Sequence, residues 1–178
     1  MRARRGDTGQ GARLTAGPLD RLGAGRYMLL ALAVIVADQW TKAWVLASLA
    51  PGDVRSYTPF FDLVLAFNRG AAFSMLADQP GWQHPFFVTL ALAVSALIVW
   101  LLGRHRDEVL FCTGLGLILG GAVGNLVDRL QIGAVVDFLS FHAGGWYWPA
   151  FNVADSAITV GAVLIILDSL RKPRVSGG

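Results

Sequence analysis

The stretch FFVTLALAVSALIVWLL, residues 86–102, carries no charged side chain over 17 positions. As a helix it rises about 25 Å at ~1.5 Å per residue. That approaches the ~30 Å hydrocarbon core of a bilayer, so the run reads as a membrane span. The whole chain agrees. Of its 178 residues, 54% are hydrophobic and 15% charged, and the mean hydropathy is +0.53. A soluble domain carries about 25% charged residues.

Three more candidate spans flank this one. Residues 27–46 contain Asp38 and Lys42, residues 109–127 are broken only by Asn125, and residues 150–167 hold Asn152 and Asp155 near their start. The expected fold is a mainly α membrane protein with four transmembrane helices in one domain, residues 27–170. Residues 1–26 read as a disordered, arginine-rich tail and 171–178 as a second tail. The first run continues past Asp38 and lacks a small-residue cleavage site, so it reads as an uncleaved span rather than a signal peptide.

Eleven Lys and Arg residues lie in the two tails and the 103–108 loop, against four elsewhere. The positive-inside rule then puts both termini in the cytoplasm and the two larger loops outside. The pI of about 9.5 reflects this bias. No basic face tracks a phosphate backbone, so a nucleic-acid partner is not expected. One cysteine, Cys112, excludes an internal disulfide. With three histidines, no metal site is expected, and Cys112 reads as packing.

In the first outer loop, FFDLVLAF (residues 60–67) is rich in β-formers and NRG (68–70) is a turn signal. The expectation is a small β-hairpin turning at NRG, with AAFSML as its second arm. The glycines at 114, 116, 120, 121 and 124 fit close helix packing in the third span, not a phosphate loop. Trp146, Tyr147 and Trp148 read as an interfacial belt.

Ionisable groups within spans are costly, and they face the bundle interior with partners. Asp38 and Lys42 are four apart and share a helix face, which suits a structural ion pair. Asn125 with Asp128, and Asn152 with Asp155, repeat an N-x-x-D spacing. Arg129 adjoins Asp128, and Asp137 follows in AVVDFL. The bland reading is an ion-pair network capping helix ends. Three aspartates beside one arginine, however, leave negative charge uncompensated. Two carboxylates sharing a site cannot both ionise easily, so one stays protonated while the other acts as a base. That is aspartic-protease chemistry, and the spacing alone favours Asp128 with Asp155. Intramembrane aspartates also serve proton-coupled transporters, though no inverted repeat is visible. A purely structural membrane protein is the third reading.

Five stretches together resemble the lipoprotein signal peptidases, the type II signal peptidases of bacteria. They are ADQWTK (37–42), NRGAAFS (68–74), GGAVGNLVDR (120–129), VVDF (135–138) and FNVADSAITVG (151–161). The resemblance implies four spans, a small extracytoplasmic β-cradle with a short surface helix between the first two, and residence in the bacterial inner membrane. It implies a cofactor-free aspartic endopeptidase that cuts prolipoprotein signal peptides before a diacylglyceryl-modified cysteine and is inhibited by globomycin. It also moves the catalytic pair to Asp137 and Asp155. Asp128 becomes a support, with Arg129 as its expected partner. Asn68, Gly70, Asn125, Arg129 and Asn152 are implied to position substrate or hold the dyad.

Overall fold

The computed structural model describes residues 23–70, 82–105 and 107–171. Four helices are long and apolar enough to cross a membrane: α1 (Gly25–Ser48), α2 (Gln83–Arg104), α3 (Val109–Ile132) and α4 (Val153–Arg171). Their 24, 22, 24 and 19 residues rise roughly 28–36 Å, enough for the hydrocarbon core. A four-stranded antiparallel sheet joins them, in the order β1 (Val54–Thr58), β2 (Phe61–Asn68), β3 (Val135–Ala143), β4 (Trp146–Tyr147).

Two span ends differ from those expected. The apolar run ends at Val127, but α3 continues to Ile132 and stops at Gly133. Gly133 takes φ 73° and donates its N–H to Arg129 O at 3.1 Å. A left-handed residue ends a helix at little cost only when it lacks a Cβ. Asp128 and Arg129 are therefore helical rather than in a loop. Helix α4 starts at Val153, not at 150. Asn152 is its cap, with its Oδ1 accepting the Asp155 N–H at 2.9 Å.

The hairpin also differs. Its turn is at Pro59 and Phe60, and the second arm lies upstream as β1, with Val54 opposite Val64 and Ser56 opposite Asp62. NRG instead ends β2, where Asn68 Oδ1 accepts the Gly70 N–H at 2.9 Å and Gly70 takes φ 99°. Residues 71–81, which hold most of AAFSML and the place of the implied surface helix, are outside the described residues, as are tails 1–22 and 172–178. The other edge of β2 pairs with β3, placing Ala66 opposite Asp137 and Asn68 opposite Val135. The sheet therefore draws strands from both of the longer interhelical connections.

Helix α3 packs against all three other helices, and eleven of its 24 residues are buried. Along α1 the burial alternates in kind. Tyr27 and Ala31 pack with Ile98, Leu102, Cys112, Leu115 and Leu119, while Val45 and Leu49 pack with Leu63, Leu65, Val136 and Phe138. Asp38 and Lys42 lie between these apolar clusters, both buried. Cys112 is buried too, and its Sγ donates to His105 O at 3.0 Å, consistent with packing.

Close approach of α3 and α4 rests on glycine. A Cβ on Gly161 would lie 2.6 Å from Gly114 O, and one on Gly114 would lie 2.7 Å from Gly161 O. Backbone faces backbone, so neither side can yield by a rotamer change. Gly161→Val should therefore destabilise the bundle by roughly 1–3 kcal/mol, read as a lower Tm in detergent. Gly103→Ala, in open space, serves as the silent control.

Candidate active site

The polar layer is built around Lys42. Its ammonium has three donors, and three acceptors meet it: Asp38 Oδ2 at 2.7 Å, Asp128 Oδ2 at 2.8 Å and Asn125 Oδ1 at 2.9 Å. The i,i+4 pair expected from spacing is present. Asp128, however, pairs with Lys42 of α1 rather than with its neighbour Arg129. Adjacent residues on a helix point about 100° apart, so they do not face each other.

Each group bound by Lys42 extends to another element. Asp38 Oδ1 accepts the N–H of Ala154 in the first turn of α4 at 2.9 Å. Asp128 Oδ2 accepts the Val136 N–H of β3 at 3.0 Å. Asn125 donates its amide to Asp155 Oδ1 at 2.8 Å. Gln39 joins the layer, its Nε2 reaching Asp128 Oδ1 at 2.8 Å and Gly124 O at 3.1 Å. The sequence reading missed Gln39, although a glutamine in mid-span between Asp38 and Lys42 is itself a signal. Gly124 leaves the room required, since a Cβ there would lie 2.7 Å from Asp38 Oδ2.

The two N-x-x-D pairs do not close on themselves through their side chains. Asn125 serves Asp155, and Asn152 serves Asp137, its Nδ2 lying 2.7 Å from Asp137 Oδ1. Asn152 Nδ2 also lies 3.2 Å from Asn125 Oδ1 and from Val136 O. The two asparagines thus bridge Asp137 to Asp155. Asn68 completes the set by donating to Asp137, its own carbonyl being held by Gly70.

Burial pushes the Asp137 carboxyl up from 3.8 to about 6, and the nearby charge of Asp155 adds to this. The hydrogen bonds from Asn68 and Asn152 and the charge of Lys42 oppose the rise. Asp137 is 2% exposed. Asp155 lies in the first turn of α4, where the helix N-terminus favours negative charge. Arg129 holds Asn125 O at 3.3 Å and lies 5.1 Å over the Phe87 ring. Its charge interacts with Asp155, Asp128 and Asp137. His84 Nε2 lies 2.8 Å from Arg129 O. Among the described residues, no three His, Cys, Asp or Glu side chains are grouped to hold a metal ion.

Four carboxylates thus face two cations in one layer of a four-span bundle, with two of the carboxylates sharing an asparagine bridge. Such a layer can support the chemistry of a peptidase that works with paired aspartates. Comparison with known proteins agrees. The family profile described as "Signal peptidase (SPase) II" matches residues 30–171, and the chain belongs to that family. A lipoprotein signal peptidase of Cupriavidus pinatubonensis is 56% identical over 148 residues, which cover 83% of this chain and 84% of that protein. One of Ralstonia nicotianae is 55% identical over 152 residues, 85% and 88% of the two chains. A solved structure described as a bacterial membrane enzyme superposes with a TM-score of 0.75 at 29% identity, covering 83% of this chain and 94% of that one. The transporter reading finds no support in these likenesses.

Lys42 sets a test. Removing one partner of a buried ion pair costs about 3–5 kcal/mol, because it strands the charge left behind. Lys42→Met should lower Tm sharply and abolish activity together. Asp38→Asn in the Lys42→Met background should recover part of the Tm without restoring turnover. Thermal unfolding in detergent reads both.

Proposed function

We propose that this chain, a peptidase that removes signal peptides from prolipoproteins, does so with Asp137 and Asp155 as its catalytic dyad. The observation that carries this is the asparagine bridge between a buried carboxyl of raised pKa and a second one at a helix N-terminus. Asp137 holds the shared proton at rest. Asp155 takes a proton from the attacking water while Asp137 gives its own to the scissile carbonyl. As the resulting gem-diol collapses, Asp137 takes that proton back and Asp155 passes the proton from water to the leaving amine. Asn125, Asn152 and Asn68 fix the two carboxyls. Arg129, half-buried beside them, steadies the charge that develops as water attacks. Asp128, though closer to the simple sequence pattern, is saturated by Lys42, Gln39 and Val136 and has no free oxygen for water.

On this reading the bond cut is the one before a cysteine that bears a diacylglyceryl group. Membrane lipid surrounds the spans, and globomycin-type peptides compete at the same site. Both termini are cytoplasmic, and the dyad lies near the extracytoplasmic face of a bacterial inner membrane. The bias of Lys and Arg supports this orientation. Reporter fusions at residue 178 and within 144–145 test it: a cytoplasm-active reporter should work only at the first, and a reporter requiring export only at the second.

Asp137→Asn and Asp155→Asn should each lose at least ~10²-fold in prolipoprotein cleavage. Their stabilities should differ from a merely structural loss. A carboxyl whose pKa is raised on folding stabilises fully below its unfolded value and loses that stability as pH climbs through the folded value. For Asp137 the window runs from about 4 to about 6, and ionisation costs the fold about 3 kcal/mol at 1.36 kcal/mol per unit. Asp137→Asn should therefore melt above the wild type at pH 8 and converge with it near pH 4. Full turnover in either variant would remove it from the dyad.

A further inference from the structure

Beyond the dyad on β3, Phe60, Phe141, His142, Ala143, Trp146, Trp148 and Phe151 line an open bowl of about 430 Å³ whose walls are mostly carbon. That volume is in the range of small-ligand sites. Phe60, Phe141, Trp146 and Trp148 are between 42% and 60% exposed, so the bowl is open to a ligand. The bowl is built rather than loose. Phe141 stacks on Phe151 with centroids 5.9 Å apart and meets Phe61 at 5.0 Å. Trp148 N–H donates to Phe141 O at 2.8 Å, and Phe151 bridges to Leu139.

The bowl is continuous with the dyad. Asp137, Leu139 and Phe141 alternate along one strand and share a face. Four residues at ~3.3 Å each put Phe141 about 13 Å from Asp137. Phe151 immediately precedes Asn152, the residue bonded to Asp137. Trp148 lies five residues before the first residue of α4, and tryptophan is favoured at the boundary of the hydrocarbon.

We propose that this bowl seats one acyl chain of the diacylglyceryl group on the substrate cysteine, an assignment that rests on the substrate reading above. Eight bonds join the scissile carbonyl carbon to an ester carbonyl through nitrogen, the cysteine side chain, sulfur and glycerol. Extended, they span roughly 10 Å at ~1.2–1.3 Å of reach per bond. The acyl chain thus begins at the rim of the bowl while the peptide bond lies at the dyad. A peptide strand laid there would leave its N–H and C=O groups facing carbon, at a cost in free energy. An aliphatic chain has no such groups to satisfy.

The test uses the Asp155→Asn chain in nanodiscs of phosphatidylethanolamine and phosphatidylglycerol. A synthetic prolipoprotein peptide carries a diazirine in the middle of one acyl chain. Photolysis followed by mass spectrometry should place the label on Phe141, Trp146 or Trp148. Ala143→Trp, which fills the bowl from an exposed position, should cut that labelling several-fold. On the otherwise wild-type chain it should lower kcat/KM for the unlabelled lipopeptide about tenfold. Label confined to the helices overturns the assignment. So does equal labelling of the bowl by a phospholipid bearing the same diazirine, which marks it as a bilayer contact. An Ala143→Trp chain with unchanged labelling and kinetics overturns it as well. A wild-type chain that fails to cut the unlabelled lipopeptide refutes the substrate reading itself, whereas cleavage without label in the bowl refutes the bowl alone.

Discussion

One buried ammonium organises the polar layer. Lys42 has three protons to place, and it places them on Asp38, Asp128 and Asn125. A cation in a bundle interior is tolerable only when such partners surround it. Each partner then reaches one step further. Asp38 holds the first turn of α4, Asp128 holds the backbone of β3, and Asn125 holds Asp155 itself. Asp155 is therefore one hydrogen bond from a group that Lys42 orients, and Asp137 follows Val136, whose N–H Asp128 holds. The lysine has no proton to give to the chemistry, yet the dyad's geometry depends on it.

The apolar packing explains why this layer sits where it does. Helix α1 buries apolar side chains against α2 and α3 at one end and against β2 and β3 at the other, with Asp38 and Lys42 between. The two clusters fix the height of the polar layer. Glycines on α3 fix its width, because the backbones of α1 and α4 approach α3 where a Cβ would collide. In lipid, close packing and internal hydrogen bonds do the work that the hydrophobic effect does in water. The dry helical side and the strand that carries Asp137 meet at this layer.

The two carboxyls of the proposed dyad are made unlike by their surroundings. Asp137 lies buried on a strand between hydrophobic neighbours, and its carboxyl holds its proton up to a pH of about 6. Asp155 lies where a helix begins and where the asparagine cap leaves its carboxylate partly open. Such a division of acid from base by environment needs no difference in residue type.

The four spans are legible in the sequence, because hydropathy is a sum over neighbouring residues and needs no partner. So is the Asp38–Lys42 pair, which follows from 3.6 residues per turn. The five stretches from ADQWTK to FNVADSAITVG pointed to the family that the comparisons then showed. Contacts between residues far apart in the chain emerge only from packing. Hydropathy ends α3 at Val127, but its backbone hydrogen bonds continue to a glycine that can turn left-handed. Spacing pairs each asparagine with the aspartate three residues on, but the fold exchanges them between α3, β3 and α4. Adjacency offers Arg129 to Asp128, but helix geometry turns Arg129 away and lets α1 supply Lys42. The turn signal at NRG suggests a hairpin partner after Gly70, but β2 pairs with β1 before it and with β3, about 75 residues downstream. Local pattern records what each residue requires; only the packed bundle settles which distant group supplies it.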